Sequence, residues 1–109
     1  VPIANLKLDH VYTGLQEQGV ATIDYRQEAL QVALSASQEF THMVLYTPPP
    51  EADAPYFCLE NQTCSTDAIN IHHRGMREIA HVLELHPGES SEGWIRYSVS
   101  DIHTEGVVL

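Results

Sequence analysis

Apolar and polar residues alternate with a period of two along the first half of the chain, which is the pattern of half-buried β-strands. The alternation predicts strands over residues 20–25 and 29–37, and in the second of these the large aliphatic residues share one face. The residues between them, 24–28, are expected to form a hairpin connection. A third strand with an apolar centre is predicted over residues 42–46.

Three consecutive prolines at positions 48–50 end the third strand, because proline cannot donate a ladder hydrogen bond and holds the preceding residue extended. After a loop, the pattern predicts further strands over residues 56–59, 81–85 and 93–100. The turn residues Pro87-Gly88-Glu89 join the last two strands.

One helical turn is expected within residues 65–70, with Ser65 or Thr66 as its cap, and no segment fits a helix of ordinary length. Six strands with turn residues between them predict an all-β fold, an antiparallel β-sandwich or a slice of one. The length of 109 residues corresponds to one domain, residues 1–109.

The charge balance narrows the classes of partner. Fifteen acidic against five basic residues give a formal net charge of −10. Binding to nucleic acid needs clustered Lys and Arg, and anionic membrane surfaces also attract basic segments, so neither partner is expected. Neutral or cationic ligands remain open. The chain has no apolar run near the ~20 residues that cross a bilayer and no basic-then-apolar leader.

The scarcity of basic residues also bears on assembly. Strands on a chain this short leave sheet edges open, and edge lysines, which usually guard against edge pairing, are nearly absent. A larger parent sheet or a partner chain would cover these edges. The chain begins Val1-Pro2, as a processed product or a piece of a longer protein would.

The two cysteines, Cys58 and Cys64, are too few for a disulfide framework. We expect both to be free thiols, which favours a reducing, cytoplasmic location. The seven histidines invite a metal site, but none has ligand spacing such as His-x-x-x-His, so no metal and no cofactor is predicted. Trp94 and Tyr97 are expected to pack in the core of the sandwich.

Glu60 is the first candidate for chemistry. It directly follows the predicted strand 56–59 and precedes Asn61 and Gln62. A carboxylate partly buried at the end of a strand, beside amide groups, suits proton abstraction from a polyol. The alternative is an ordinary surface carboxylate where a strand ends.

Asp9 is the second candidate. It lies in the segment Leu8-Asp9-His10-Val11-Tyr12, where an acid and an imidazole stand between apolar residues. The carboxylate could bind sugar hydroxyls or orient His10. The alternative is a turn residue before a strand.

Several short segments in the order found here resemble the C-terminal third of the aldose 1-epimerase (galactose mutarotase) family. The resemblance runs from about Leu8 to Ser100. The matching segments are Leu8-Asp9-His10-Val11-Tyr12, Phe40-Thr41-His42-Met43-Val44-Leu45-Tyr46-Thr47-Pro48, Phe57-Cys58-Leu59-Glu60, Asp67-Ala68-Ile69-Asn70, His86-Pro87-Gly88-Glu89 and Gly93-Trp94-Ile95-Arg96-Tyr97.

The resemblance implies a large antiparallel sandwich that interconverts the α and β anomers of free aldoses such as galactose and glucose. Glu60 falls on the family's general base, and Asp9 on a carboxylate that binds sugar hydroxyls. Tyr46, in the matching strand, is expected to contact the substrate. The family's general acid is an upstream histidine, and no histidine of this chain lies in a matching motif.

These expectations describe the C-terminal part of a mutarotase-like sandwich. It would bind a monosaccharide with only part of the pocket, and it would be inactive or weakly active alone. We expect it to pair with an N-terminal part, or to associate with itself through sheet edges. Two alternatives remain open: a carbohydrate-binding module without turnover, and a structural half-sandwich that self-associates.

Overall fold

The computed structural model describes residues 7–15, 21–49, 51 and 56–102, so Val20 and Pro50 lie outside the described residues. Within these ranges the chain forms six strands and two short helices. They are β1 (Asp9–Tyr12), β2 (Ala21–Tyr25), β3 (Leu30–Ala36), β4 (His42–Tyr46), β5 (Cys58–Gln62), α1 (Ala68–His73), α2 (Arg77–Ala80) and β6 (Ile95–Asp101).

The strands form two three-stranded sheets. The first sheet has the order β1-β4-β5 and the second the order β2-β3-β6, and every strand pair is antiparallel. The predicted all-β class is therefore confirmed. In the described ranges neither helix has the length and apolar character that a membrane span requires.

A tight hairpin joins β2 to β3. The backbone N–H of Ala29 donates to the carbonyl of Arg26 at 3.3 Å, and Ala29 takes a left-handed conformation with φ 55°. That conformation costs a residue with a Cβ about 1–2 kcal/mol. The carbonyl of Ala29 in turn accepts from the N–H of Ile102 at 2.8 Å, so the turn is also tied to the end of β6.

The small core lies on the facing sides of the two sheets. Leu34 is 3% exposed in the second sheet and Met43 is 5% exposed in the first. A groove of about 520 Å³ runs between the sheets, with Leu59 of the first sheet on its wall beside Val32 and Leu34 of the second. Apolar side chains of both sheets thus line one groove that is open to solvent, and burying them there favours the approach of the two sheets.

The two helices pack together beside the first sheet. Ala80 of α2 is fully buried, and its carbonyl accepts a hydrogen bond from the N–H of Ser65 at 3.0 Å. This bond ties the end of α2 to the segment that leaves β5. His42, the first residue of β4, is 1% exposed, and the backbone of Ile79 in α2 lies against its ring.

Several element boundaries differ from the expectations. Strands β2, β3 and β4 fall where the alternation predicts them, and the strand predicted over 93–100 is β6. The strand predicted over 81–85 is wrong, because His81 ends α2 in a left-handed conformation with φ 50° and residues 81–86 form neither strand nor helix.

The predicted helical turn within 65–70 is present as α1, but its cap is neither Ser65 nor Thr66. Asp67 precedes the helix with φ 59° and makes no side-chain cap. Its carboxylate instead accepts a hydrogen bond from the side-chain amide of Asn70 at 2.6 Å.

The predicted core positions Trp94 and Tyr97 are wrong. Trp94 is 42% exposed and Tyr97 is 65% exposed. Trp94 lies just before β6 and packs against a cation, with the Arg96 guanidinium 4.9 Å from the ring centroid. Tyr97 lies on β6, an edge strand whose residues are all exposed.

Candidate functional site

The three residues expected to contact substrate lie on one face of the first sheet. Asp9 of β1 is directly opposite Tyr46 of β4, and Tyr46 is directly opposite Cys58 of β5. Opposed residues of antiparallel strands share a face, and so do residues two apart on one strand. Glu60 therefore shares the face of Asp9 and Tyr46, and we call this surface the outer face.

The order of the strands sets the spacing of these groups. Opposed residues have Cβ atoms about 5 Å apart, so Asp9 and Tyr46 are within contact distance. Glu60 is diagonal to Tyr46, at about 7–8 Å between Cα atoms. The two carboxylates lie on edge strands about 10 Å apart, with the phenol between them. That span is wide enough for one sugar ring.

Tyr46 is the best defined of the three. Its ring centroid is 6.5 Å from that of Tyr56, with the ring planes at 45°. Burial raises the pKa of the Tyr46 phenol, and the nearby Tyr56, Asp9 and Cys58 raise it further. A side-chain hydrogen bond with Tyr56 also favours the protonated form, so the phenol is neutral at pH 7.

A groove of about 480 Å³ opens beside Asp9 and Tyr46 at one end of the outer face. Two hydrogen bonds hold its floor: the N–H of Leu8 donates to Oγ1 of Thr47, and the N–H of Thr47 donates to the carbonyl of Leu8, both at 2.8 Å. The groove is lined by Lys7, Leu8, Asp9, Tyr46, Thr47, Pro48, Pro49 and Glu51.

Glu60 differs from expectation in two respects. It is the middle residue of β5, opposite Val44, and not a residue that follows the end of a strand. It is also exposed, whereas partial burial was expected. Extension of the strand through Asn61 and Gln62 explains the first difference, because these polar residues pair with β4 and continue the ladder.

The exposure of Glu60 has a chemical consequence. A general base works best where water is excluded and its orientation is fixed by neighbours. The 480 Å³ groove does not include Glu60 in its wall. In the described part of the chain, Asp9 and Tyr46 therefore line a groove, whereas Glu60 lies outside this groove on the same face of the sheet.

The other end of the outer face holds a buried histidine that the sequence pattern does not single out. The Thr41 hydroxyl donates to the carbonyl of Thr63 at 3.3 Å, and its Oγ1 lies 2.7 Å from Nδ1 of His42. Nδ1 of His81 contacts the same carbonyl. These bonds connect β4 to the segments on either side of the helices.

Burial lowers the pKa of His42, and the nearby His81 lowers it further against a smaller opposing effect of the Ile79 backbone. The ring is therefore neutral at pH 7. Because it is almost fully covered, His42 supports the packing of α2 and does not face the groove beside Asp9.

The remaining candidate chemistry is sparse. No group of three or more His, Cys, Asp or Glu residues that could hold a metal ion occurs in the described ranges. Cys58 and Cys64 are both free thiols, as predicted, and both are half-buried. Sequence reasoning did not identify Tyr56, Lys7 or Glu51 as neighbours of Asp9 and Tyr46. Only Tyr56, the aromatic first residue of the strand predicted over 56–59, could have been found from the sequence.

No protein-family model, no curated protein and no solved structure matches this chain.

Proposed function

We propose that the outer face of the first sheet binds a monosaccharide, and that the chain acts as part of an aldose 1-epimerase-like sandwich. The observation that carries this proposal is the shared face of Asp9, Tyr46 and Glu60. It adds to the resemblance of the segments that contain these residues to the aldose 1-epimerase family.

The groups on this face suit a neutral sugar. Carboxylates accept hydrogen bonds from hydroxyl groups, and the neutral Tyr46 phenol can donate one to a ring or hydroxyl oxygen. Tyr56 adds an aromatic surface beside Tyr46 on which the apolar side of a pyranose can pack. The net charge of −10 does not oppose a neutral ligand, whereas it would repel an anionic one.

The proposed reaction assigns one role to each side chain. Glu60 takes the proton of the C1 hydroxyl while the ring oxygen gains a proton from an acid. The C1–O5 bond then breaks and the open aldehyde rotates. The ring closes on its other face as O5 returns its proton to the acid and Glu60 returns its proton to the C1 oxygen. Asp9 and Tyr46 hold the sugar hydroxyls. A positioned acid or base contributes about 10²–10⁴-fold to such a rate.

In the described part of this chain, the proposed base is exposed to solvent, because no other residues cover Glu60. His42 is buried under α2 and therefore does not serve as the acid. We therefore expect the chain alone to accelerate mutarotation weakly or not at all, and expect activity where a further polypeptide surface covers Glu60 and brings the acid.

The test is to monitor the mutarotation of freshly dissolved α-galactose or α-glucose by polarimetry. The sample is the longest form of the protein that accelerates the reaction. Glu60→Gln should lower the catalysed rate by about 10²-fold or more, because the amide cannot accept the C1 proton. Glu28→Gln, at an exposed position in the β2–β3 turn, is the matched control and should leave the rate unchanged. An unchanged rate in Glu60→Gln would show that Glu60 is not the base.

The exposure of Glu60 favours a second candidate, a carbohydrate-binding sandwich without turnover. It predicts heat of binding for galactose or glucose in calorimetry, lost in Asp9→Asn and in Tyr46→Phe, with no form of the protein accelerating mutarotation. Retained acceleration would exclude this candidate.

A further inference from the structure

We propose that two copies of this chain associate through β6, which pairs with its own counterpart to join two second sheets into one six-stranded sheet. Among the described residues, β6 pairs only with β3, so its other side is a free edge. All seven residues of Ile95–Asp101 are exposed. This inference is independent of the proposed sugar site, which lies on the first sheet.

Of the four edge strands, β6 is the best suited to pairing. It has seven residues, whereas β1 has four and β2 and β5 have five each. It contains no proline, and it has no lysine of the kind that usually blocks edge pairing. The charges of Arg96 and Asp101 cancel, so β6 has no net charge, although the whole chain has a formal net charge of −10.

The hydrogen bonds to β3 show which backbone groups face the free edge. The carbonyl of Trp94 accepts from Ser37, and the N–H of Ile102 donates to Ala29, each at one end of β6. Backbone groups alternate in direction along a strand, so even-numbered residues point towards β3. The N–H and C=O groups of the odd-numbered residues therefore point outward, and these residues are Ile95, Tyr97, Val99 and Asp101.

One register satisfies all of these groups. If Ser98 lies on the two-fold axis of an antiparallel pair, Tyr97 is opposite Val99 of the second copy and Ile95 is opposite its Asp101. The outward-facing residues then form the hydrogen-bonded pairs, as an antiparallel ladder requires. Every residue of β6 has a partner in this register, and Arg96 is opposite Ser100 and never opposite a second arginine.

The same register joins the apolar surfaces of the two copies. Tyr97 and Val99 are 65% and 66% exposed, and both lie on the face that carries Leu34 and Val32 in the neighbouring strand. An aromatic residue opposite a β-branched residue stabilises an antiparallel pair. By the two-fold symmetry this contact occurs twice, and the apolar faces of the two copies become continuous across the interface.

Disulfide trapping tests the register. Ser98→Cys is combined with Cys58→Ser and Cys64→Ser, so that position 98 carries the single thiol of the chain. Opposed Ser98 residues form a non-hydrogen-bonded pair with Cα atoms about 4.5 Å apart, which a disulfide can span. Oxidation should give covalent dimers. Ser100→Cys in the same background is the control, because its partner is Arg96 and its two thiols lie about 13 Å apart along the strands.

Sedimentation tests the association itself. The unmodified chain should sediment with twice the mass of one 12.2 kDa chain. Val99→Pro removes an outward N–H without removing a bond to β3, so it should give a folded monomer. Thr22→Pro is the matched control: it removes an outward N–H from β2, the opposite edge of the second sheet, and should remain a dimer.

Far-UV circular dichroism establishes that both proline variants fold. A single-chain mass for the unmodified protein at its highest soluble concentration would overturn the proposal. Equal crosslinking of Ser98→Cys and Ser100→Cys, or a dimer that survives Val99→Pro while Thr22→Pro disrupts it, would overturn the assignment to β6.

Discussion

Replacing Leu34 with alanine should cost about 2–3 kcal/mol of folding free energy. Leu34 is the most buried large residue of the second sheet, at 3% exposure. It lies in the central strand between Ala21 of β2 and Tyr97 of β6. Among the described residues of this sheet, only the small side chain of Ala36, at 0% exposure, is covered more completely.

The magnitude follows from the atoms removed and from the space they leave. Leucine to alanine removes three carbon groups, each worth about 0.8 kcal/mol when buried. The void left by the side chain lowers stability further when neighbouring atoms cannot move in to close it and water cannot fill it. Leu34 lines the 520 Å³ groove between the sheets, which is open to solvent, so that added cost is small here.

The assay is urea unfolding at a fixed protein concentration, followed by circular dichroism, because self-association makes stability concentration-dependent. Leu85→Ala is the matched control: it deletes the same atoms from a side chain that is 53% exposed, and it should cost less than about 0.5 kcal/mol. In a thermal scan the Leu34 variant should melt roughly 10–20 °C lower.

Equal costs for the two variants would refute the packing described for the second sheet. The two sheets would then not share a core at Leu34. A cost well above about 5 kcal/mol would show a tightly closed core in place of the open groove.

Three further predictions concern other parts of the fold. Gly93→Ala should destabilise by about 1–3 kcal/mol, because the new Cβ would lie 2.8 Å from Cε2 of Phe40, and an unchanged urea midpoint would contradict that contact. The lowered pKa of His42 means that its contribution to stability is complete above its ordinary pKa near 6.5 and is lost as the pH falls below that value. His42→Gln should therefore flatten the loss of stability between neutral and mildly acidic pH, and an unaltered pH profile would exclude His42 as its cause. The pKa of Tyr46 is raised above its ordinary value of 10, so Tyr46→Phe should remove an ionisation above pH 10 from the ultraviolet titration, and an unchanged titration curve would contradict the burial of this phenol.

The strands were predictable where burial acts on one face of a single strand. In β3 the alternation of Leu30, Val32 and Leu34 with polar or small residues marks the covered face, and Val32 and Leu34 line the groove between the sheets. That pattern reflects the geometry of the strand itself, in which side chains alternate between faces.

The segment after α1 could not be predicted this way. Val82, Leu83 and Leu85 have the composition of a strand, yet they lie exposed in an irregular segment. Helix α2 has four residues, which is about one turn and too short for a helical period to appear in the sequence.

The outer face depends on pairing between distant segments, which no local pattern contains. Leu8 and Thr47 are 39 residues apart when they bond across β1 and β4, and this register places Asp9 opposite Tyr46. A shift of one residue would turn Asp9 to the other face of the sheet. The residues of the candidate site were thus nominated from the sequence, whereas their shared face and the exposure of Glu60 required the structure.

The most direct test of the central claim is a nuclear magnetic resonance titration of the isotopically labelled chain with galactose and glucose. Saturable amide shifts should concentrate at Asp9, Tyr46 and Glu60, with sheet β2-β3-β6 unaffected. A chain that shows no saturable shifts, or shows them only in β2, β3 and β6, would contradict a sugar site on the outer face.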